Sequence, residues 1–282
     1  MNRIGCHVSI AGGIANAPQR AGDLGCEVFQ MFSRSPQGGP APKITLEIAE
    51  KFKNEMKKHG QKESYIHAPY YINFASSKKP IRSSSARIVR EELERGSQIG
   101  AKYVMFHPGS AKDMDRKDAL EITAEGVAKV LNSYTGTTEL LLEISAGAGN
   151  VIGDRFEELN QILKYLKFKN STAHQDVGIC LDSAHMFASG YDIKTKDGFK
   201  KVVENIKRTV GLKKIKLIHA NDSKIELGGH KDRHDHIGHG KIGEEGFVNL
   251  VSIFPNIDLI CETEHDFVEK DMEKLKGLRY NK

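Results

Sequence analysis

The chain has 282 residues, 39% hydrophobic and 28% charged, with 27 Gly, 8 Pro, 4 Cys, 12 His and no Trp. That length and composition suit a globular protein with a sizeable core and exclude a disordered, collagen-like or disulfide-stapled chain. The formal net charge of +5 permits a nucleic-acid partner without requiring one.

The first expected element is a strand at 4–9 (IGCHVS), followed by a second at 27–32 (EVFQMF). An amphipathic helix is expected over 44–58, where Ile44, Ile48, Phe52 and Met56 recur every four residues. Strands follow at 64–69 (SYIHAP), 102–108 (KYVMFHP), 139–144 (ELLLEI) and 177–182 (VGICLD). A second clear helix spans 199–210, with Phe199, Val202, Val203, Ile206 and Val210 on one face. Strands at 215–220 (IKLIHA) and 258–263 (DLICET) complete the set.

Strands alternating with helices imply right-handed βαβ units and a parallel sheet. Eight units of about 35 residues fit an α/β fold of the (β/α)8 TIM-barrel type, here read as one domain, 1–282. A doubly wound sheet is less favoured, because no G-x-G-x-x-G follows the first strand. GGI and SAGAGN lack the spacing of a phosphate-cradling loop. The longest non-periodic segments follow strands 2, 3, 6 and 7, and in a barrel such loops gather on the C-terminal face, where active sites are built. No apolar run is long enough for a membrane span, and MNRIGCHVSI lacks a signal-peptide core, so a cytoplasmic location is expected. Cys6, Cys26, Cys180 and Cys261 stand singly in apolar runs and read as buried thiols in a reducing compartment.

Strand after strand ends in a residue able to hold a metal: His67, His107, Glu143, Asp182, His219 and Glu262. Barrel strand ends converge on one mouth, and this donor set suits zinc or manganese. An ionisable group beside an apolar core costs several kcal/mol unless paired or coordinated, so six together point to a metal cluster. In LDSAHMF, Asp182 and His185 are i and i+3, facing the same way if the chain turns helical there. In HKDRHDHIGH, Asp232 and His234 alternate and would point to one side of an extended loop. His185, Asp232 and His234 would then make a three-ligand site with an open position, as in catalytic zinc centres.

The motifs GCHVSIAGG, HAPYYINFAS, FHPGS, LLEISAGAGN, ICLDSAHMFASGYD, IHANDSK, DRHDHIGHGKIG and CETEHD run nearly end to end. In order and spacing, the chain resembles the endonuclease IV family of abasic-site endonucleases, part of the xylose-isomerase-like barrel superfamily. The resemblance implies a metal site on the C-terminal face holding three zinc ions, with manganese an alternative at one. His67 and His107 would hold one ion, and Asp182, His219 and Glu262 a second, with Glu143 bridging the two. His185, Asp232 and His234 would hold the third. Glu143 and Glu262 are the residues it assigns to catalysis. The implied reaction is hydrolysis 5′ to an abasic site, leaving 3′-OH and 5′-deoxyribose phosphate, with removal of 3′ blocking groups as well.

The implied partner is damaged double-stranded DNA, with no membrane, no obligate protein partner and a monomeric enzyme. Tyr70 and Tyr71 are candidate wedges against exposed bases, Arg233 a phosphate ligand, and Arg34, Lys78, Lys79 and Lys231 backbone contacts. The strand-2 loop departs from the family pattern. Where well-known members carry an inserting arginine and a tryptophan, this chain reads Ser35-Pro36-Gln37-Gly38-Gly39, leaving Gln37 to fill the abasic gap. His7 is expected to support a ligand from behind, and His230, His236 and His239 have no assigned role. Two rivals stand beside this reading: a divalent-metal sugar isomerase or epimerase on the same barrel, and a DNA-binding protein with structural zinc only.

Overall fold

The computed structural model describes residues 1–169 and 177–279. Eight strands form its centre: β1 (Ile4–Val8), β2 (Phe29–Met31), β3 (Ser64–His67), β4 (Tyr103–Phe106), β5 (Glu139–Glu143), β6 (Gly178–Asp182), β7 (Ile215–His219) and β8 (Asp258–Cys261). Each pairs in parallel with its sequence neighbour, and β8 closes on β1 through the register Ile4↔Leu259 to Cys6↔Cys261. Every predicted strand is present, shortened at its ends by no more than two residues.

Among the described residues the helices are α1 (Ala17–Asp23), α2 (Leu46–Lys58), α3 (Lys79–Ile99), α4 (Arg116–Leu131), α5 (Phe156–Lys169), α6 (Ser183–Ala188), α7 (Lys196–Arg208), α8 (Gly243–Ile253) and α9 (Val268–Leu278). Caps decide where the predicted helices begin. The Thr45 hydroxyl accepts from Ile48 N at 3.3 Å, so α2 starts at Leu46. The Thr195 hydroxyl accepts from Gly198 N at 3.1 Å, so α7 begins at Lys196, ahead of its first apolar face residue, Phe199. Phe52, Phe199 and Ile206 are fully buried against the barrel.

Two cores result. The larger lies between strands and helices; the smaller fills the barrel with Val28, Tyr65, Tyr103, Met105, Leu141, Cys180, Leu217 and Ile260. At the base of that plug the Tyr65 hydroxyl donates to Asp258, which also binds Arg3 through Nε at 2.9 Å and Nη2 at 2.6 Å. All four cysteines are free and buried.

Candidate metal centre

Side chains along a strand alternate between faces, so the residue two beyond an interior apolar group also points inward. Tyr65 leads to His67, Met105 to His107, Leu141 to Glu143, Cys180 to Asp182, Leu217 to His219 and Ile260 to Glu262. The alternation that builds the apolar plug thereby sets a ring of ionisable groups on top of it.

Glu143 stands at the centre of the ring. Its Oε2 lies 3.1 Å from His67 Nε2 and 3.8 Å from His107 Nε2, and its Oε1 lies 3.0 Å from His219 Nδ1. His219 Nδ1 is also 3.3 Å from Glu262 Oε2 and 3.8 Å from Asp182 Oδ2. Ligand-capable atoms of His67, His107 and Glu143 fall within 4.8 Å of one another, as do those of Glu143, Asp182, His219 and Glu262.

A third group is built from loops. Asp182 Oδ1 caps α6 by accepting from His185 N at 2.7 Å, which turns the chain helical and sets His185 beside Asp182. Asp232 and His234 belong to the excursion between β7 and α8, where His234–Asp235 pairs antiparallel with Asp222–Ser223. Asp232 Oδ2 lies 3.3 Å from His185 Nε2, and its Oδ1 lies 3.1 Å from His234 Nε2. The tightest set here is Asp182, His185 and His234, with ligand atoms within 4.8 Å; Asp232 closes it from the solvent side, its side chain 54% exposed.

The donor set fits a cation. A carbonyl can only accept, so His67 Nδ1 donates to Ala68 O at 2.7 Å and His185 Nδ1 donates to Ile144 O at 3.0 Å. Each ring is thus oriented with Nε2 facing the site, the usual way a protein presents imidazole to a metal. The Nε2 atoms of His185 and His234 are buried without a hydrogen-bond partner. Burial disfavours charge on His185, yet the Asp182 and Asp232 carboxylates outweigh it and lift its pKa to about 10. Burial would raise Glu262 and Glu143, but the surrounding histidines prevail, holding Glu262 at about 2 and Glu143 well below the usual carboxylate range. Such a cluster takes up protons where a cation would bind.

The family model described as xylose isomerase-like TIM barrel matches residues 18–279. A protein of Aquifex aeolicus named probable endonuclease 4 is 40% identical over 252 residues, 89% of this chain and 87% of that one. Its counterpart in Halothermothrix orenii is 34% identical, covering 98% of this chain and 99% of that one. The crystal structure of endonuclease IV from Thermus thermophilus superposes with a TM-score of 0.83 at 31% identity, covering 99% of this chain and 98% of the other. The chain belongs to the endonuclease IV family. A D-tagatose 3-epimerase-like protein, with a TM-score of 0.72 at 18% identity over 98% of this chain and 96% of that one, shares the fold alone.

In this endonuclease IV family chain, two polar residues that sequence reasoning overlooked organise the centre. Gln30 Nε2 donates to Glu262 Oε1 at 2.6 Å and to His7 Nδ1 at 3.0 Å, while its Oε1 accepts from His219 Nε2 at 2.7 Å. The amide thus fixes His219 with Nδ1 turned to Glu143 and Glu262. Burial drops the His7 pKa to about 3, so His7 serves as a neutral acceptor, one bond removed from Glu262. Asn221 Nδ2 donates to Asp182 Oδ2 at 2.7 Å and to Glu262 Oε2 at 3.2 Å, and its Oδ1 accepts from Glu262 N at 2.7 Å. A signal for Gln30 was present: it stands two residues beyond interior Val28 and pairs in register with His7.

The predicted DNA contacts divide. Tyr70, 70% exposed, stands edge-on to Phe32 at 5.3 Å and 5.8 Å from the His67 ring, at the lip of the centre. With Tyr71, Asn73, Ser110, His107 and Asp232 it lines a cavity of about 430 Å³ that opens beside the histidines. Arg233 is exposed, its Nη1 donating to the Asp232 carbonyl at 2.8 Å. Gln37, Lys78, Lys79 and Lys231 are exposed as well. Arg34 corrects the expectation: it is only 3% exposed, with Nε on Glu92 and Nη2 on Glu91 at 3.0 Å. A guanidinium sunk between α3 carboxylates is spent on the fold and unavailable to a phosphate.

Proposed function

We propose that this chain is a zinc-dependent phosphodiesterase that nicks duplex DNA 5′ to abasic sites, leaving 3′-OH and 5′-deoxyribose phosphate, and that it also clears 3′ blocking groups. The observation that carries the reading is the convergence of nine ligand-type side chains on one barrel mouth, with two buried imidazole nitrogens facing the Asp232 carboxylate yet making no hydrogen bond. The ions assigned are three zincs, manganese being the alternative at one. His67 and His107 would take the first and Asp182, His219 and Glu262 the second, with Glu143 shared between them; His185, Asp232 and His234 would take the third. When bound, zinc supplies Lewis-acid stabilisation of phosphate charge and lowers the pKa of water towards neutrality.

The side chains divide the remaining work. Glu143 and Glu262 stay ionised at neutral pH, so they contribute negative charge and are unsuited to protonating a leaving oxygen. Gln30 and Asn221 keep His219, Asp182 and Glu262 from rotating away from the mouth. An abasic nucleotide has no base to unstack, so turning it out of the duplex costs little, which favours damaged DNA over intact DNA. Tyr70 and Tyr71 are suited to wedge against the bases left behind, and Arg233 to hold a phosphate beside Asp232. Gln37 is assigned to the gap, with less reach than a charged side chain. The working unit proposed is one barrel domain, 1–282, acting as a cytoplasmic monomer without an obligate protein partner.

The deciding experiment incubates zinc-loaded protein with duplex carrying a tetrahydrofuran abasic analogue. One nick immediately 5′ to the lesion is expected; an intact strand would overturn the assignment. Metal analysis of the same preparation is expected to return about three zinc per chain.

A further inference from the structure

The excursion between β7 and α8 supplies two of the nine proposed ligands, yet its only regular structure is the two-residue ladder Asp222–Ser223 with His234–Asp235. So short a ladder cannot hold Asp232 and His234 on its own. Immediately after it, α9 grips the chain. Ile237 N donates to Asp271 Oδ1 at 2.8 Å, Ile237 O accepts from Lys274 Nζ at 3.0 Å, and the Ile237 side chain is buried. His236 Nδ1 lies 2.7 Å from Asp271 Oδ2, and the same oxygen accepts from the Thr263 hydroxyl at 2.6 Å. Asp271, in the first turn of α9, is 3% exposed. Thr263 directly follows Glu262. One buried carboxylate therefore ties the arm that carries His234 to the strand end that carries Glu262. The far side of the arm is held separately by Asp222, which accepts from Gly238 N and Ile242 N, each at 2.9 Å.

We propose that Asp271 is a positioning residue which, through His236 and Ile237, sets Asp232 and His234 for the His185-centred ion and keeps that ion in register with the pair shared by Glu143. This rests on the metal reading above and gives His236 a purpose that its place in a histidine-rich loop concealed. The groups on β3 to β7 are held by the barrel ladder, and Glu262, which shares the tether through Thr263, is held as well by Gln30 and Asn221, so loss of the tether would fall chiefly on one ion of three.

The test titrates zinc against a chromophoric chelator for the wild type and for Asp271→Ala, Asp271→Asn and His236→Ala. In Asp271→Ala one ion is expected to bind about 10- to 100-fold more weakly, as for other losses of a group that orients ligands, while the others keep wild-type affinity. Asp271→Asn retains an acceptor for Ile237 N and is expected to recover most of that loss. His236→Ala leaves the Ile237 and Thr263 bonds to Asp271 in place, while removing the His236 bond to Asp271 and its 3.4 Å contact with Asp266, and is expected to weaken the same ion by less. Should Asp271→Ala fail to fold, Asp271→Asn and His236→Ala still separate the outcomes. Nicking of the abasic duplex is expected to fall in the same order and to return with excess zinc. Wild-type affinity for all ions in every folded variant, with only a lower melting temperature, would overturn the proposal and leave Asp271 a stabilising residue. A wild-type protein that takes up no zinc would refute the metal reading itself, and the wild-type titration is read first.

Discussion

Replacing Arg34 by methionine separates a structural arginine from a DNA-binding one. The change leaves Glu92, which is fully buried, with the Ser33 hydroxyl as its remaining direct partner and the Arg95 guanidinium beyond that hydroxyl, 2.6 Å from it. Removing one member of a buried ion pair costs about 3–5 kcal/mol, because the charge left behind stays desolvated. Arg95 still lends Glu92 some positive potential, so the lower end, about 3 kcal/mol, is expected. For a chain of this size each kcal/mol moves Tm by about 2 °C, giving a fall of about 6 °C in a calorimetric or circular-dichroism melt. The companion assay measures binding to abasic duplex across a salt series. A lost phosphate contact would flatten the plot of log affinity against log salt by about 0.9. Arg34→Met is expected to keep the wild-type slope. An unchanged Tm with a slope shallower by about one would refute the structural reading and return Arg34 to the DNA interface.

Other expectations follow from the same geometry. Glu143→Gln removes the one carboxylate that faces His67, His107 and His219; nicking is expected to drop by several orders of magnitude while damaged duplex is still bound, and near-wild-type turnover would rule Glu143 out of catalysis. Gln30→Leu frees the His219 ring and strips a donor from Glu262, so zinc affinity at one ion is expected to fall about 10- to 100-fold; equal zinc retention in a chelator titration would contradict this. At high pH, burial and the Asp258 carboxylate hold the Tyr65 phenol well above 10, and burial pushes Tyr103 up to about 12. Because the folded state favours their protonated forms, they contribute stability in full below pH 10 and lose it as pH climbs through 12. An absorbance titration at 295 nm should leave both un-ionised at pH 11 while the protein stays folded; if both ionised near pH 10 in the folded protein, the buried base of the barrel would be misplaced.

How much of this was legible depended on whether the physics was local. The strands announced themselves as short apolar runs, and their last residues as ligands, because period-two alternation carries the apolar plug straight into the site: Leu141 then Glu143, Leu217 then His219. The Asp182–His185 pair could be read because a cap acts over three residues. Gln30 escaped notice because an amide is not among the usual zinc ligands, although it stands level with His7 in the register. Arg34 looked like a free cation because Glu91 and Glu92 lie on α3, far along the chain, and no spacing rule links them. His236 stayed unassigned for the same reason, its partner Asp271 lying 35 residues away on α9.

The two kinds of support also predict how the centre comes apart. His67, Glu143, Asp182 and His219 belong to strands whose backbones are locked by parallel pairing on both sides. Asp232 and His234 belong to an arm held by side-chain tethers to Asp222 and Asp271. Local opening of the arm breaks those tethers, the two-residue ladder and a few backbone bonds such as His230 N to Ala188 O, whereas displacing a strand end requires opening the barrel. The ion nearest His185 should therefore leave first under chelation and exchange fastest, with the other two released only near global unfolding. Stepwise chelator titration monitored by hydrogen exchange can follow this. If amides around Ile237 and Gly238 stayed protected while the first ion was withdrawn, the arm would be as rigid as the barrel and the tethers would not set the order of release.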